Sequence, residues 1–210
     1  MSPEQPSNVI DIQEARQEVS PKVTWRCVLP EDFLKLKQLN VKALQTVAMA
    51  FGQSSKKRLE WSDTEWQQYI ASNAILVGVN TEGDFVAMAG AEDKGEGVWQ
   101  LHSVFLDSEA VRRGNDDARE KTERPRISDQ LIVALLQEIE KRGAVRVDLK
   151  VNEKMTKAVE LYERLGFTVT GELRDDASAD GKLYPKLAMS KDLTRKEGKT
   201  IEEEPLPLAA

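Results

Sequence analysis

Cysteine and histidine are almost absent from this 210-residue chain, which has one of each, Cys27 and His102. A single thiol cannot form an intrachain disulfide, and this usage fits a reducing compartment. So few soft ligands make an ordinary zinc site a poor expectation, and no metal is anticipated. No apolar run approaches the roughly 20 residues that a membrane helix requires. Excess positive charge is missing too. The 30 Lys and Arg face 36 Asp and Glu, and the resulting net charge of −6 provides no field to hold nucleic acid. The N-terminus carries acids from Glu4 onward and no apolar stretch. It therefore reads as neither a secretory signal nor a transit peptide, and a cytoplasmic location is expected. Aromatic residues are sparse. Trp25, Trp61, Trp66 and Trp99 are scattered along the chain and read as core or pocket residues, without the basic partners of a base-stacking platform.

What is present fits one domain with polar tails. Residues 1–21 are polar, acidic and Pro/Ser-bearing, as expected of a disordered tail, and residues 194–210 read the same way. Between them, 22–193 reads as one domain. Val23–Val28 is a short strand. Pro30-Glu31-Asp32 opens a helix with proline and acids in its first turn, and Phe33, Leu36, Leu39 and Ala43 give that helix an apolar stripe. Gly52, within Ala50–Ser55, is expected to break it. Ser62 suits the cap of a second helix over Asp63–Ser72. Ala74–Asn80, Phe85–Glu92 and Val98–Leu106, separated by turn residues, read as an antiparallel meander. Ser128–Arg142 is an amphipathic helix with Leu131, Ile132, Leu135, Leu136 and Ile139 inward. A charged insertion is expected at about 111–123, and a last strand over about Leu183–Ser190.

The most informative stretch is Val145–Leu173. Apolar and charged residues alternate through Val145–Val151, the period of a half-buried strand. Asn152 suits a helix N-cap. From Met155 the period changes, and Ala158, Leu161, Tyr162 and Leu165 share a helix face. Gly166 closes the helix, and Phe167–Thr170 begins a strand that Gly171 is expected to end. The words V-N-E-K-M-T-K-A-V-E-L-Y-E-R-L-G-F closely resemble the C-terminal half of the GNAT superfamily of acyl-CoA N-acyltransferases. The matching positions are Ala158, Leu161, Tyr162, Glu163, Gly166 and Phe167. A-F-G-Q-S-S and the S-x-x-E-W of Ser62–Trp66 resemble one branch of the same superfamily. Together the resemblance spans about Val23–Leu193. It implies an α/β fold, a mixed central sheet flanked by helices in the order β-α-α-β-β-β-α-β-α-β-β, with a cleft where the fourth and fifth strands splay.

The resemblance also implies a site. The superfamily holds the CoA pyrophosphate on a Q/R-x-x-G-x-G/A loop at a helix N-terminus, where unpaired N–H groups and the dipole favour an anion. The matching place here is Glu123–Ser128. Arg126 and Ser128 stand at the two glycine positions, and an earlier R-G occurs at Arg113-Gly114. The expected cofactor contacts are Arg124, Arg126, Ile127, Ser128 and Asp129, with the backbone of Val104, Phe105 and Leu106 beside the pantetheine arm, and Asn152. Tyr162 matches the tyrosine that protonates the departing thiolate. For the base, Gln100 cannot serve, which leaves His102 on the same strand face and Glu92 on the neighbouring strand.

The implied function is N-acetyl transfer from acetyl-CoA, as co-substrate, to a primary amine by direct attack in a ternary complex. The acceptor is a small-molecule or peptide amine, and the sequence leaves room for a homodimer. The alternative is a non-catalytic domain of the same fold that binds a ligand or a protein partner.

Overall fold

Hydrophobic residues in the meander strands alternate between two faces and are buried on both, so the sheet needs cover on each side. The computed structural model describes residues 23–113, 126–173 and 177–193 and supplies that cover. Strands β1 (Val23–Cys27), β2 (Ala74–Asn80), β3 (Phe85–Asp93), β4 (Val98–Leu106), β5 (Arg146–Asn152), β6 (Thr168–Leu173) and β7 (Lys186–Asp192) form one seven-stranded sheet in the order β1-β2-β3-β4-β5-β7-β6. Every neighbouring pair is antiparallel except β4 and β5. The helices are α1 (Phe33–Val47), α2 (Gln53–Lys57), α3 (Asp63–Ser72), α4 (Ser108–Arg113), α5 (Ile127–Lys141) and α6 (Thr156–Arg164). This is the expected mixed α/β architecture, with the short helices α2 and α4 added to the expected order. No helix among the described residues is long and apolar enough to cross a membrane.

The sheet divides the core. On one face α5 and α6 bury Leu131, Leu135, Ile139 and Leu161 against Ala74, Leu76, Ala89, Leu101 and Leu149. On the other, α1 and α3 bury Leu36, Leu39, Trp66 and Ile70 against Ile75, Val77, Met88 and Phe105. Adjacent residues of β2 thus serve opposite layers, as a strand period of two requires. Ser62 accepts the Glu65 N–H at 3.3 Å while Glu65 accepts the Ser62 N–H at 2.7 Å, so α3 opens on a reciprocal capping box.

Most boundaries fall within a residue or so of the sequence reading, and four differ for a physical reason. Helix α1 stops at Val47, before Gly52, and Gly52 instead precedes α2. Asn152 does not cap α6. It ends β5, and its side-chain oxygen accepts the Lys154 N–H at 3.0 Å, a local turn that competes with capping. Gly171 does not end β6, because Thr170 bulges out and pairing with β7 resumes at Gly171↔Ala188. Strand β7 begins at Lys186, just past Pro185, which has no N–H to offer a ladder. Val111, inside the expected insertion, lies on α4 and is buried beside Val23 and Val86. Residues 114–125, which hold the rest of that insertion apart from Arg112 and Arg113, lie outside the described residues, as do both tails and the cofactor candidate Arg124.

Candidate active site

Strand β4 pairs with β5 only from Val98↔Arg146 to Leu101↔Leu149. Both strands continue past that point, to Leu106 and Asn152, without pairing to each other. A cleft of about 770 Å³ opens there. It is floored by Leu101–Val104 and Leu149–Asn152 and flanked by Tyr162 of α6 and by the segment Met49–Arg58.

A bulge on β4 decides what faces the cleft. The register with β3 shifts between Met88↔Phe105 and Gly90↔His102, and Ser103 takes φ +53°, a left-handed conformation uncommon for a residue with a Cβ. In an unbroken strand Leu101 and Phe105 would face the same way. Here Leu101 packs in the α5 layer and Phe105 in the α1–α3 layer. Next to the switch, neighbouring residues turn to the same side, and His102 Nδ1 lies 3.1 Å from its neighbour's Ser103 Oγ. Gly90 makes room for this, because a Cβ there would sit 2.5 Å from His102 Cε1.

Around His102 a second group assembles that the sequence does not announce. Arg58 follows directly on α2 and is buried, with 7% of its surface exposed. It donates from Nη2 to Ser55 Oγ at 2.7 Å and to Ser103 Oγ at 2.9 Å. Its guanidinium lies 4.9 Å from the Tyr69 ring centre and 5.9 Å from that of Trp61. Trp61, Trp66 and Tyr69 meet edge to face. Thus two of the scattered tryptophans do form a cluster with a basic residue. Tyr69 OH is 3.5 Å from His102 Nδ1. Burial, and next the Arg58 charge, push the His102 pKa down to about 4, while Glu92 opposes them. His102 is therefore neutral near pH 7. Burial likewise raises the Tyr69 phenol.

Tyr162 is 7% exposed and packs edge to face on Phe167, with ring centres 5.7 Å apart. Burial raises its pKa, so the phenol keeps its proton across the physiological range. Its helix is closed by Gly166 at φ +84°, and the Phe167 N–H reaches back to the Tyr162 carbonyl at 2.9 Å. Glu92 lines the cleft mouth, paired with Lys94 at 2.7 Å. Asn152, buried, donates to the Met49 carbonyl at 3.3 Å and so fastens the cleft floor to the loop after α1.

The cleft thus gathers Tyr162, His102, Glu92, Val104 and Asn152 from the expected set. Phe105 and Leu106 continue the same strand without lining it. Arg126, Ile127, Ser128 and Asp129 lie at the start of α5, outside the cleft lining. Ile127 and Leu106 pack on the same cluster of Val23, Val86 and Val111, which sets the α5 N-terminus at the far end of β4. Asp129 there is held by Arg164 of α6 at 2.9 Å, so the acid in that first turn has its own counter-ion. Arg126 is exposed at this end, and its carbonyl accepts the Asp129 N–H at 2.9 Å. Among the described residues no three His, Cys, Asp or Glu side chains cluster as metal ligands.

Comparison with known proteins agrees with this architecture. A family model described as an acetyltransferase (GNAT) domain matches residues 52–180. No curated protein matches the chain. Among solved structures, a GNAT-family acetyltransferase from Streptococcus pneumoniae is similar with a TM-score of 0.62 at 15% identity, over 81% of this chain and 99% of that one. A ribosomal-protein-alanine N-acetyltransferase from Brucella melitensis gives 0.59 at 19% identity, over 81% and 99%. A phosphinothricin acetyltransferase from Sinorhizobium meliloti in complex with acetyl-CoA gives 0.61 at 15%, over 82% and 89%.

Proposed function

The chain belongs to the GNAT acetyltransferase family, and on that premise we propose that it transfers an acetyl group from acetyl-CoA to a primary amine by direct attack in a ternary complex. The observation that carries the reading is the parting of β4 from β5 beyond Leu101 and Leu149, with His102 and Tyr162 both facing the gap. Acetyl-CoA supplies the electrophile, a thioester carbonyl. The new C–N bond forms as the C–S bond breaks. One proton leaves nitrogen, and one ends on the departing sulfur.

The residues divide the work along the gap. Arg126 and the first N–H groups of α5, at Ile127 and Ser128, hold pyrophosphate beside Asp129, whose own N–H donates to the Arg126 carbonyl at 2.9 Å, with Arg124 as a further candidate. The backbone of Val104, Phe105 and Leu106 runs along the pantetheine arm. Tyr162 serves the leaving thiolate. Its burial makes full ionisation costly, so its part is to donate a strong hydrogen bond to sulfur until a proton arrives. His102, neutral, and Glu92 are the proton acceptors on the amine side. They take the proton as C–N bond formation makes the nitrogen acidic, and it passes on to solvent.

The test combines calorimetry with acetyl-CoA and release of free CoA thiol in the presence of primary amines. Binding in the micromolar range with amine-dependent thiol release supports transfer. Binding without release from any amine favours the non-catalytic ligand-binding alternative, and absence of binding up to millimolar removes both CoA-based readings.

A further inference from the structure

Arg58 carries a charge that nothing in the described structure neutralises. No carboxylate among the described residues lies within ion-pair distance of it, its bonded partners are the neutral hydroxyls of Ser55 and Ser103, and its Nε is buried with no acceptor. Removing a guanidinium from water without a counter-ion is costly, by several kcal/mol per ion in general. Such an arrangement is stable when something on the functional side of the site supplies the anion. Arg58 lines the cleft beside His102 and Ser103, and Tyr162 lines the same cleft. Ser103 is held in a left-handed conformation on the bulge, so its hydroxyl is fixed between the guanidinium and the imidazole.

We infer that the acceptor is an amine that also bears a carboxylate, of the α-amino-acid type, and that Arg58 is the residue that recognises that carboxylate. The inference rests on the transfer reading above and names the acceptor class for it. A guanidinium presents a planar fork of donors that matches a carboxylate, and its aromatic supports, Trp61 and Tyr69, keep it oriented and dry. Elsewhere in the lining, Glu92 pairs with Lys94 at 2.7 Å, so that carboxylate is already engaged.

A second consequence follows for His102. The groups facing it are Arg58, Tyr69 of α3, Ser103, Glu92 and Lys94. An anion seated on Arg58 cancels one of the influences that keep the ring neutral. The same event that seats the acceptor therefore makes the neighbouring imidazole a better proton acceptor.

The experiment compares L-amino acids with their carboxamides and decarboxylated amines, and with spermidine, in thiol release from acetyl-CoA. It also follows the imidazole resonances of His102, the only histidine, as the N-acetylated acids or amides are added. The expected result is at least about tenfold higher kcat/KM for acids than for amides, expressed in KM. Arg58→Met abolishes that preference, Arg58→Lys retains part of it, and the His102 pKa rises on adding the acid but not the amide. Preference for amides, decarboxylated amines or spermidine overturns the inference while leaving the transfer reading intact. An unchanged acid preference in Arg58→Met does the same. Conversely, an acid-specific His102 shift lost in Arg58→Met, with no thiol release from any amine, supports the carboxylate site and rejects transfer. If Arg58→Met does not fold, the ligand series on the native protein and Arg58→Lys still decides.

Discussion

Gly90 and His102 face each other across the β3–β4 ladder, and the imidazole fills the space that any side chain at residue 90 would need. A Cβ on Gly90 would come within 2.5 Å of Cε1 and 2.8 Å of Nδ1. Gly90→Ala is therefore expected to push the ring away from Ser103 and Tyr69. Overpacking of this kind costs about 1–3 kcal/mol. The check is thermal unfolding together with the His102 imidazole chemical shifts. A variant with native stability and an unmoved ring would show that the histidine has other room.

Tyr162→Phe keeps the ring on Phe167 and removes only the hydroxyl, so stability and acetyl-CoA affinity are expected to change little. Turnover should fall by about 10²–10³-fold, the usual loss when one donor to a developing anion is removed. Measured kcat within a factor of three of the native value would make Tyr162 a packing residue.

Stability should depend on pH through His102. Its folded pKa is about 4, below the roughly 6.5 of an unfolded chain. Between these values the unfolded state binds more protons, so stability rises with pH. The contribution is complete above about pH 6.5 and is lost as pH falls through about 4, amounting to at most about 3 kcal/mol. His102→Gln should flatten urea-unfolding free energies across that window. An equally steep slope in the variant would assign the effect to carboxylates instead.

Asp107, just past β4, ties α4 to α1. One carboxylate oxygen accepts the Glu109 and Ala110 N–H groups at the start of α4, and the other pairs with Lys42 of α1. Asp107→Ala loses the cap and leaves the lysine without that partner, at about 1–3 kcal/mol. Denaturant titration measures this loss, and a change under 0.5 kcal/mol by the same scale would mean that α4 is not coupled to the core.

Much of the architecture was legible because it is local. The change of period at Asn152–Met155, the Ser62 cap and the Gly166 cap each declare themselves within a few residues. The bulges at Ser103 and Thr170 do not, since each exists only in register with another strand. The same limit hid Arg58. In S-S-K-K-R-L-E-W it looks like one more solvated cation beside Lys56 and Lys57, and its burial depends on Ser103, which is remote in sequence. Tyr162, His102 and Glu92 were visible as chemistry-bearing residues, but their shared cleft is a product of the sheet.

The four residue pairs that join β4 to β5 have a mechanical consequence. They are the narrowest seam in the sheet. β1–β4 lie on one side of it and β5–β7 on the other, each internally laced by longer antiparallel ladders. A twist of one half against the other strains few bonds, so this seam is the compliant axis of the molecule. Backbone amides of Val98–Leu101 and Arg146–Leu149 should then exchange with solvent faster than those of β2 and β3, and slow when a ligand bridges the two halves.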